Sequence, residues 1–237
     1  SHQDTTFCEA LLGEMSDMVR VLFPADHNSV LATLPAIYQA RGQLACMVIP
    51  KRERPAIFTQ AQAEQLARDG AVLVEQLDGE EPLLLMACGS YQLAEMQRAA
   101  VRLRTAGLAY RLVYVQEPGR FRAPRDRWEA QALASPEVVA QLFAPALRRR
   151  VLLTHMRPEV ARGHLWPLLP EASNTVVLGY RNRGGTLDEA GMQFANSATW
   201  AHILDACAQL LQVPLSGVLS AAEITAVKGE GDPRVLR

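Results

Sequence analysis

The sequence predicts an α/β fold built around a mostly parallel sheet, and three observations carry that prediction. Strand-like runs occur at residues 44–49, 83–88, 110–115, 151–154 and 175–180, and the one at 44–49 is continuous rather than alternating, as in a strand covered on both faces. Segments between them carry apolar residues at helical spacing. The link from residue 88 to residue 110 is long enough for a crossover helix, which makes a parallel, right-handed connection the default.

Taken in order, residues 7–18 set Phe7, Leu11, Leu12 and Met15 at helical spacing, with Asp4 or Thr5 placed to cap the start. Residues 19–23 are a β-prone run stopped by Pro24. Asp26-His27-Asn28-Ser29 then opens a second amphipathic helix through Val30, Leu31, Leu34, Ile37 and Tyr38. Pro35 falls inside it, which predicts a kink or a first-turn position, and Gly42 ends it. The run at 44–49 reads as a second buried strand. Residues 1–50 therefore read helix–strand–helix–strand, part of a doubly wound domain and too short to be a whole one. Thr59 caps a polar helix over 60–69 that Gly70 ends, within a charged stretch that reads as a connector.

Residues 83–88 form the strongest strand signal, broken by Gly89-Ser90. Leu93, Met96, Ala100 and Leu103 continue at helical period to a glycine stop at Gly107. After the strand at 110–115 comes a basic, proline-bearing loop over 117–127. Ser135-Pro136-Glu137 starts a helix by proline in the first turn, and strands follow at 151–154 and 175–180. Residues 160–169 read as irregular or helical. Trp200, Ile203, Leu204, Cys207, Leu210 and Leu211 form the most regular amphipathic helix. Residues 83–213 thus read as one complete α/β domain. The tail after Pro214 is less periodic, and residues 228–237 read as an arm or a loosely held end.

The totals exclude several classes. The 237 residues are 49% hydrophobic with a formal net charge of -1, which suits one large or two small cores and argues against a nucleic-acid protein. No apolar run approaches the roughly 20 residues that span a bilayer. Cys8, Cys46, Cys88 and Cys207 are far apart and show no zinc spacing. Buried, reduced thiols in a cytoplasmic protein are expected. The chain opens on Ser1-His2-Gln3-Asp4, without Met or a leader pattern, and is expected to be a fragment, a cleaved product or one domain of a longer protein.

Two residues bracket the first unit. His2 sits in a polar loop and can transfer protons near neutral pH, although an ordinary exposed histidine satisfies the spacing better. Lys51 follows a buried-looking strand, and ligands in open α/β sheets bind beyond the carboxyl ends of strands. A lysine there can hold a phosphate as a point charge. A solvated lysine beside Arg52, Glu53 and Arg54 explains the sequence equally well. Gly184-Gly185 lacks any phosphate-loop spacing, so a turn needing positive φ is expected. His155, His164 and His202 share no metal spacing, His202 is expected at the surface, and Arg148-Arg149-Arg150 reads as a solvated or interface patch.

The opening Ser1-His2-Gln3-Asp4, with Phe7 after it, resembles the Phe-Ser-His-Gln-Asp-Pro-Gly-Phe segment of phosphoketolases. The similarity continues through residues 19–26 to Val48-Ile49-Pro50-Lys51, where that family has Val-Ala-Gly-Lys. It resumes at Gly179-Tyr180 and Gly185-Thr186 and is loose over 117–165. Transketolases share the architecture. The resemblance implies the end of a pyrimidine-type thiamine-binding domain over 1–55 and a connector over 56–82. It implies a transketolase C-terminal-like three-layer domain over 83–237. It also implies that His2 faces the substrate as a catalytic group, that Lys51 grips a sugar phosphate, and that Gln3 stands beside them as a substrate-binding neighbour. Thr5-Thr6 replaces the family's Pro-Gly. The family's upstream His-Asn pair, its diphosphate-binding domain and its ring-activating glutamate have no counterpart here.

The implied activity is cleavage of xylulose 5-phosphate or fructose 6-phosphate by inorganic phosphate to acetyl phosphate and an aldose phosphate. Thiamine diphosphate supplies the electron sink and Mg2+ the diphosphate's counter-charge in the intact enzyme, with the metal site outside this chain. The expected partners are sugar phosphate, inorganic phosphate and a second copy, as homodimer or higher homo-oligomer, with no nucleic acid and no membrane. On this reading the chain is inactive alone. A non-catalytic dimerisation module and transketolase-type transfer of a two-carbon unit remain as alternatives.

Overall fold

A computed structural model of the chain describes residues 5–169, 171–183 and 185–237. The order begins α1 (Thr6–Leu12), β1 (Val19–Leu22), α2 (His27–Gln39) and β2 (Leu44–Met47). It continues α3 (Gln60–Asp69), β3 (Ala71–Leu77), β4 (Leu83–Cys88), α4 (Ser90–Thr105) and β5 (Tyr110–Val115). Then come α5 (Arg127–Ala132), α6 (Pro136–Leu142), β6 (Arg150–Thr154) and α7 (Pro158–His164). The rest is β7 (Thr175–Leu178), α8 (Glu189–Ala195), α9 (Trp200–Leu211) and α10 (Ala221–Val227).

The large sheet has strand order β3-β5-β4-β6-β7. All its pairings are parallel except β3 with β5. Alternate residues of β4 point to opposite faces, as strand geometry requires. Leu83, Leu85 and Ala87 join one core with α4 and α9, while Leu84, Met86 and Cys88 join the other with Leu142, Phe143, Ala161 and Leu165. Helices cover both faces, which is the three-layer arrangement expected.

The smaller sheet is the parallel pair β1–β2. It is joined to the large unit by the Phe23 N–H, which donates to the Gln116 carbonyl oxygen at 2.8 Å. The Tyr114 hydroxyl donates to the Phe23 carbonyl, and Ser90 Oγ donates to the Ala25 carbonyl at 2.7 Å. Ion pairs add to the seam. Arg20 forks onto Glu117 with both contacts at 2.8 Å, and Arg157 holds Glu9. Glu129 accepts from the Ser16 N–H at 3.0 Å and from Arg125 at 2.7 Å.

The local signals that define α2, α3 and α6 appear as read. Asp26, Thr59 and Ser135 cap them by accepting backbone N–H groups, and Gly70 ends α3 at φ 80°. Pro35 lies within α2.

Several expectations need correction. Residues 56–82, expected as a connector, contain α3 and β3, and β3 is the antiparallel edge of the large sheet. The run at 44–49, expected to be buried, forms β2 with Leu44 67% exposed and no strand residue fully buried among the described residues. The chain's end is packed rather than loose: Leu236 is buried, and its carbonyl accepts from Trp200 Nε1 at 2.9 Å and Arg98 at 3.2 Å. Arg150 is buried rather than solvated, donating to the carbonyls of Leu147 and Leu168. Among the described residues no helix is long and apolar enough to cross a membrane.

Candidate functional site

A cleft of about 460 Å³ lies beyond the carboxyl ends of β2, β4, β6 and β7. That is where open α/β sheets place ligands, since the strands stop there and the chain turns into loops. Each wall follows from local sequence. After β2, Val48-Ile49-Pro50-Lys51-Arg52 supplies the cationic rim. After β4, Gly89 at φ 115° turns the chain directly into α4, which brings Tyr91 and Gln92 to the wall. Beyond β6 and β7 come His155, Gly179 and Tyr180, with Thr154 the last residue of β6. Asp188, Glu189, Met192 and Asn196 close the far side.

That far side is held in shape. Asn196 Oδ1 accepts the Arg181 N–H at 2.7 Å and the Arg183 N–H at 3.3 Å. Arg54 pairs with Glu189 at 3.4 Å and lies over the Tyr91 ring at 4.9 Å. Arg237 pairs with Asp188 at 3.0 Å. Gly179 has no room for a side chain, because a Cβ there would lie 2.4 Å from the Met156 carbonyl oxygen.

Lys51 stands on the rim, exposed. His2 and Gln3 lie outside the described residues, as does Gly184, while Gly185 adopts the positive φ expected of a turn, 63°. His155 packs its ring against Phe23 at 5.7 Å. Burial lowers its pKa against a smaller pull from Glu9, so the ring is neutral at pH 7. Sequence reading passed over it for want of metal spacing, although its place one residue past a buried strand was the signal. Gln92 was missed in the same way, two residues inside the helix that follows Gly89.

His202, expected at the surface, is partly buried against Phe194 and shares a hydrogen bond with Thr199 Oγ1 at 2.7 Å. Burial takes its pKa down to about 4. All four cysteines are free thiols: Cys8, Cys88 and Cys207 are buried and Cys46 is half-buried. Burial pushes the Cys8 and Cys207 thiols up to about 12.

The chemistry the cleft offers is anion binding and hydroxyl recognition: a lysine and an arginine on the rim, an amide, an imidazole and a phenol inside. Among the described residues no group of three or more His, Cys, Asp or Glu side chains converges to hold a metal ion.

Residues 1–40 match the family model described as D-xylulose 5-phosphate/D-fructose 6-phosphate phosphoketolase. A probable phosphoketolase of Lactococcus lactis is 29% identical over 153 residues, 62% of this chain and 19% of that protein. One from Brucella suis is 30% identical over 217 residues, 86% of this chain and 26% of that protein. The chain thus spans about a fifth to a quarter of the length of these relatives. Among solved structures, Leishmania mexicana transketolase superposes with a TM-score of 0.63 at 14% identity, covering 90% of this chain and 28% of that one. A split-gene transketolase described as an inactive beta4 tetramer superposes with a TM-score of 0.59 at 16% identity, covering 82% of this chain and 58% of that one. At such identities the structural likeness establishes a shared fold. The chain is thus similar in sequence to part of the probable phosphoketolases and shares its fold with transketolases.

Proposed function

We propose that this chain is the phosphate-gripping part of a phosphoketolase. In the whole enzyme, xylulose 5-phosphate or fructose 6-phosphate and inorganic phosphate become acetyl phosphate, an aldose phosphate and water. The observation that carries the reading is Lys51 on the rim of a cleft at the carboxyl ends of four strands. A mobile ammonium suits a phosphate at the remote end of a substrate, and that binding energy can be used to orient the reacting end. His2 and Gln3 belong to the same site by resemblance, His2 for proton transfer and Gln3 beside the substrate. Thiamine diphosphate and Mg2+ are held by the rest of the enzyme, and this chain alone does not turn over. Free buried thiols suit a cytoplasmic setting.

Binding of xylulose 5-phosphate, followed by titration calorimetry, tests the role of Lys51. Lys51→Ala is expected to weaken it about tenfold, equivalent to about 1.4 kcal/mol. Unchanged affinity overturns the reading. Acetyl phosphate formed by this chain alone, given sugar phosphate, thiamine diphosphate, Mg2+ and phosphate, overturns the need for the remainder.

A second reading is an assembly module that holds copies together. Phe7, Tyr38 and Leu44 are exposed around the small sheet, and the split-gene relative of the same fold is described as an inactive tetramer. Sedimentation of the chain as a monomer at micromolar concentration would remove it.

A further inference from the structure

The floor of the cleft holds two polar groups that the grip on a phosphate does not use. Gln92 is 8% exposed and lines the cleft. Its Oε1 is sealed from solvent and has no hydrogen-bond partner among the described residues. Buried amides are nearly always satisfied, so an orphan that survives in a well-packed wall calls for a cause. Gly89 makes room for it: a Cβ at that position would lie 2.2 Å from Gln92 Oε1 and 3.1 Å from His155 Cβ. The same glycine therefore admits both side chains to one spot. His155 is fixed there by its own N–H, which donates to the Cys88 carbonyl at 2.8 Å, and by Phe23 against its ring. Among the described residues its ring nitrogens make no hydrogen bond, and as a neutral imidazole it offers one donor and one acceptor.

We propose that Gln92 and His155 form a hydroxyl-recognition pair, so that the cleft selects a polyhydroxylated phosphate over a bare one. This rests on the reading of Lys51 as the phosphate ligand. Gln92 Oε1 is turned toward Gly89 and closed to solvent, so the amide meets a ligand with its NH2, or with its oxygen once turned over. A neutral imidazole can likewise donate or accept. Together they match the dual character of a hydroxyl, which is both donor and acceptor. A charged pair in their place would favour an ion instead. Sites built to hydrogen-bond a ligand hydroxyl discriminate strongly against ligands that lack it, because their own polar groups are then left unpaired. The division of labour is chemical. The rim cation binds any phosphate, while the floor pair reads the carbon chain attached to it.

The test compares xylulose 5-phosphate with inorganic phosphate by titration calorimetry on the wild-type chain and on Gln92→Met, His155→Phe and Lys51→Ala. Gln92→Met keeps the length of the side chain and removes the orphan amide. It is expected to weaken xylulose 5-phosphate at least tenfold, to leave inorganic phosphate within twofold, and to raise Tm. A purely structural glutamine would instead lower Tm and leave the ratio of the two affinities unchanged, and that outcome overturns the inference. His155→Phe preserves the ring packing on Phe23 and is expected to shift the same ratio in the same direction. If both floor variants bind xylulose 5-phosphate as wild type does while Lys51→Ala does not, the pair has no such role and the phosphate grip stands. If Lys51→Ala binds both ligands as wild type does, the reading on which the inference rests falls.

Discussion

The two sheets of this molecule are built from similar apolar runs and fare differently. In β4 every residue is buried, and its side chains feed two cores on opposite faces. In β2 the pairing is also parallel, yet Leu44 is mostly exposed and no strand residue is fully buried. An apolar run states what a strand can bury. Whether it does depends on layers supplied by other parts of the chain, and a two-stranded sheet is rarely stable by itself. The small sheet is held by its seam with the large one, where Val21 and Phe23 enter the apolar core on one face of the large sheet and the Arg20–Glu117 and Arg157–Glu9 ion pairs add to the contact. The cleft spans the join: Lys51 lines it from the small sheet, Gln92 and His155 from the large one.

The largest effect is expected at the seam. Glu129 is fully buried and takes the Ser16 N–H, Arg125 and, at 3.6 Å, Arg122. Removing it leaves those donors and charges without their partner, so Glu129→Ala should cost about 3 kcal/mol, read from urea unfolding at pH 7. Burial alone would raise this carboxyl. The Arg125 guanidinium and the N–H groups of Ser16 and Arg125 outweigh burial, with Arg122 helping, and hold it down to about 2. Its folded pKa lies below the ordinary 4.5, so its contribution is complete above that value and is lost as pH falls toward 2. The gap between wild type and variant should therefore narrow on going from pH 7 to pH 3. A gap that stays constant would show that Glu129 acts by packing and not by charge.

The core of the large sheet comes next. Leu85 is fully buried between Leu112 and Val151 in the register of the sheet. Leu85→Ala should cost about 2.5 kcal/mol. Hydrogen exchange should show protection lost across β4, β5 and β6 with β1 and β2 following. If the small sheet keeps its protection while the large one loses it, the two units are stable independently and the seam is not what supports β1 and β2.

How far the sequence could be read follows the same division. Strands β4 and β5 and helices α4 and α9 were legible because their signals are local: unbroken apolar runs, helical period, glycine stops. Strand β3 was not, because Glu75-Gln76 breaks its apolar run and its partner β5 lies some way along the chain. The burial of Arg150 and His202 was hidden because it depends on distant or flanking groups, the Leu168 carbonyl and the Phe194 ring. At the site, Lys51 could be singled out by its place after a strand. Gln92 and His155 occupy comparable places after β4 and β6, but an unpaired amide is visible only once its surroundings are known.

The smallest effect is expected at Leu44. Its side chain is 67% exposed on β2, and surface substitutions away from special features usually change stability by less than about 0.5 kcal/mol. Leu44→Ser should therefore leave the urea midpoint almost where it was, even though a leucine of identical composition at position 85 is worth several times more. The substitution also blunts an unpaired, apolar strand edge, which is where sheets associate. If Leu44→Ser costs as much as a core leucine at high protein concentration but not on dilution, β2 is covered in solution by another chain. The contrast between the two sheets would then belong to the isolated chain and not to its assembled form. If the cost stays small at every concentration, the exposure of β2 is a property of this chain in solution, and the small sheet rests on its seam alone.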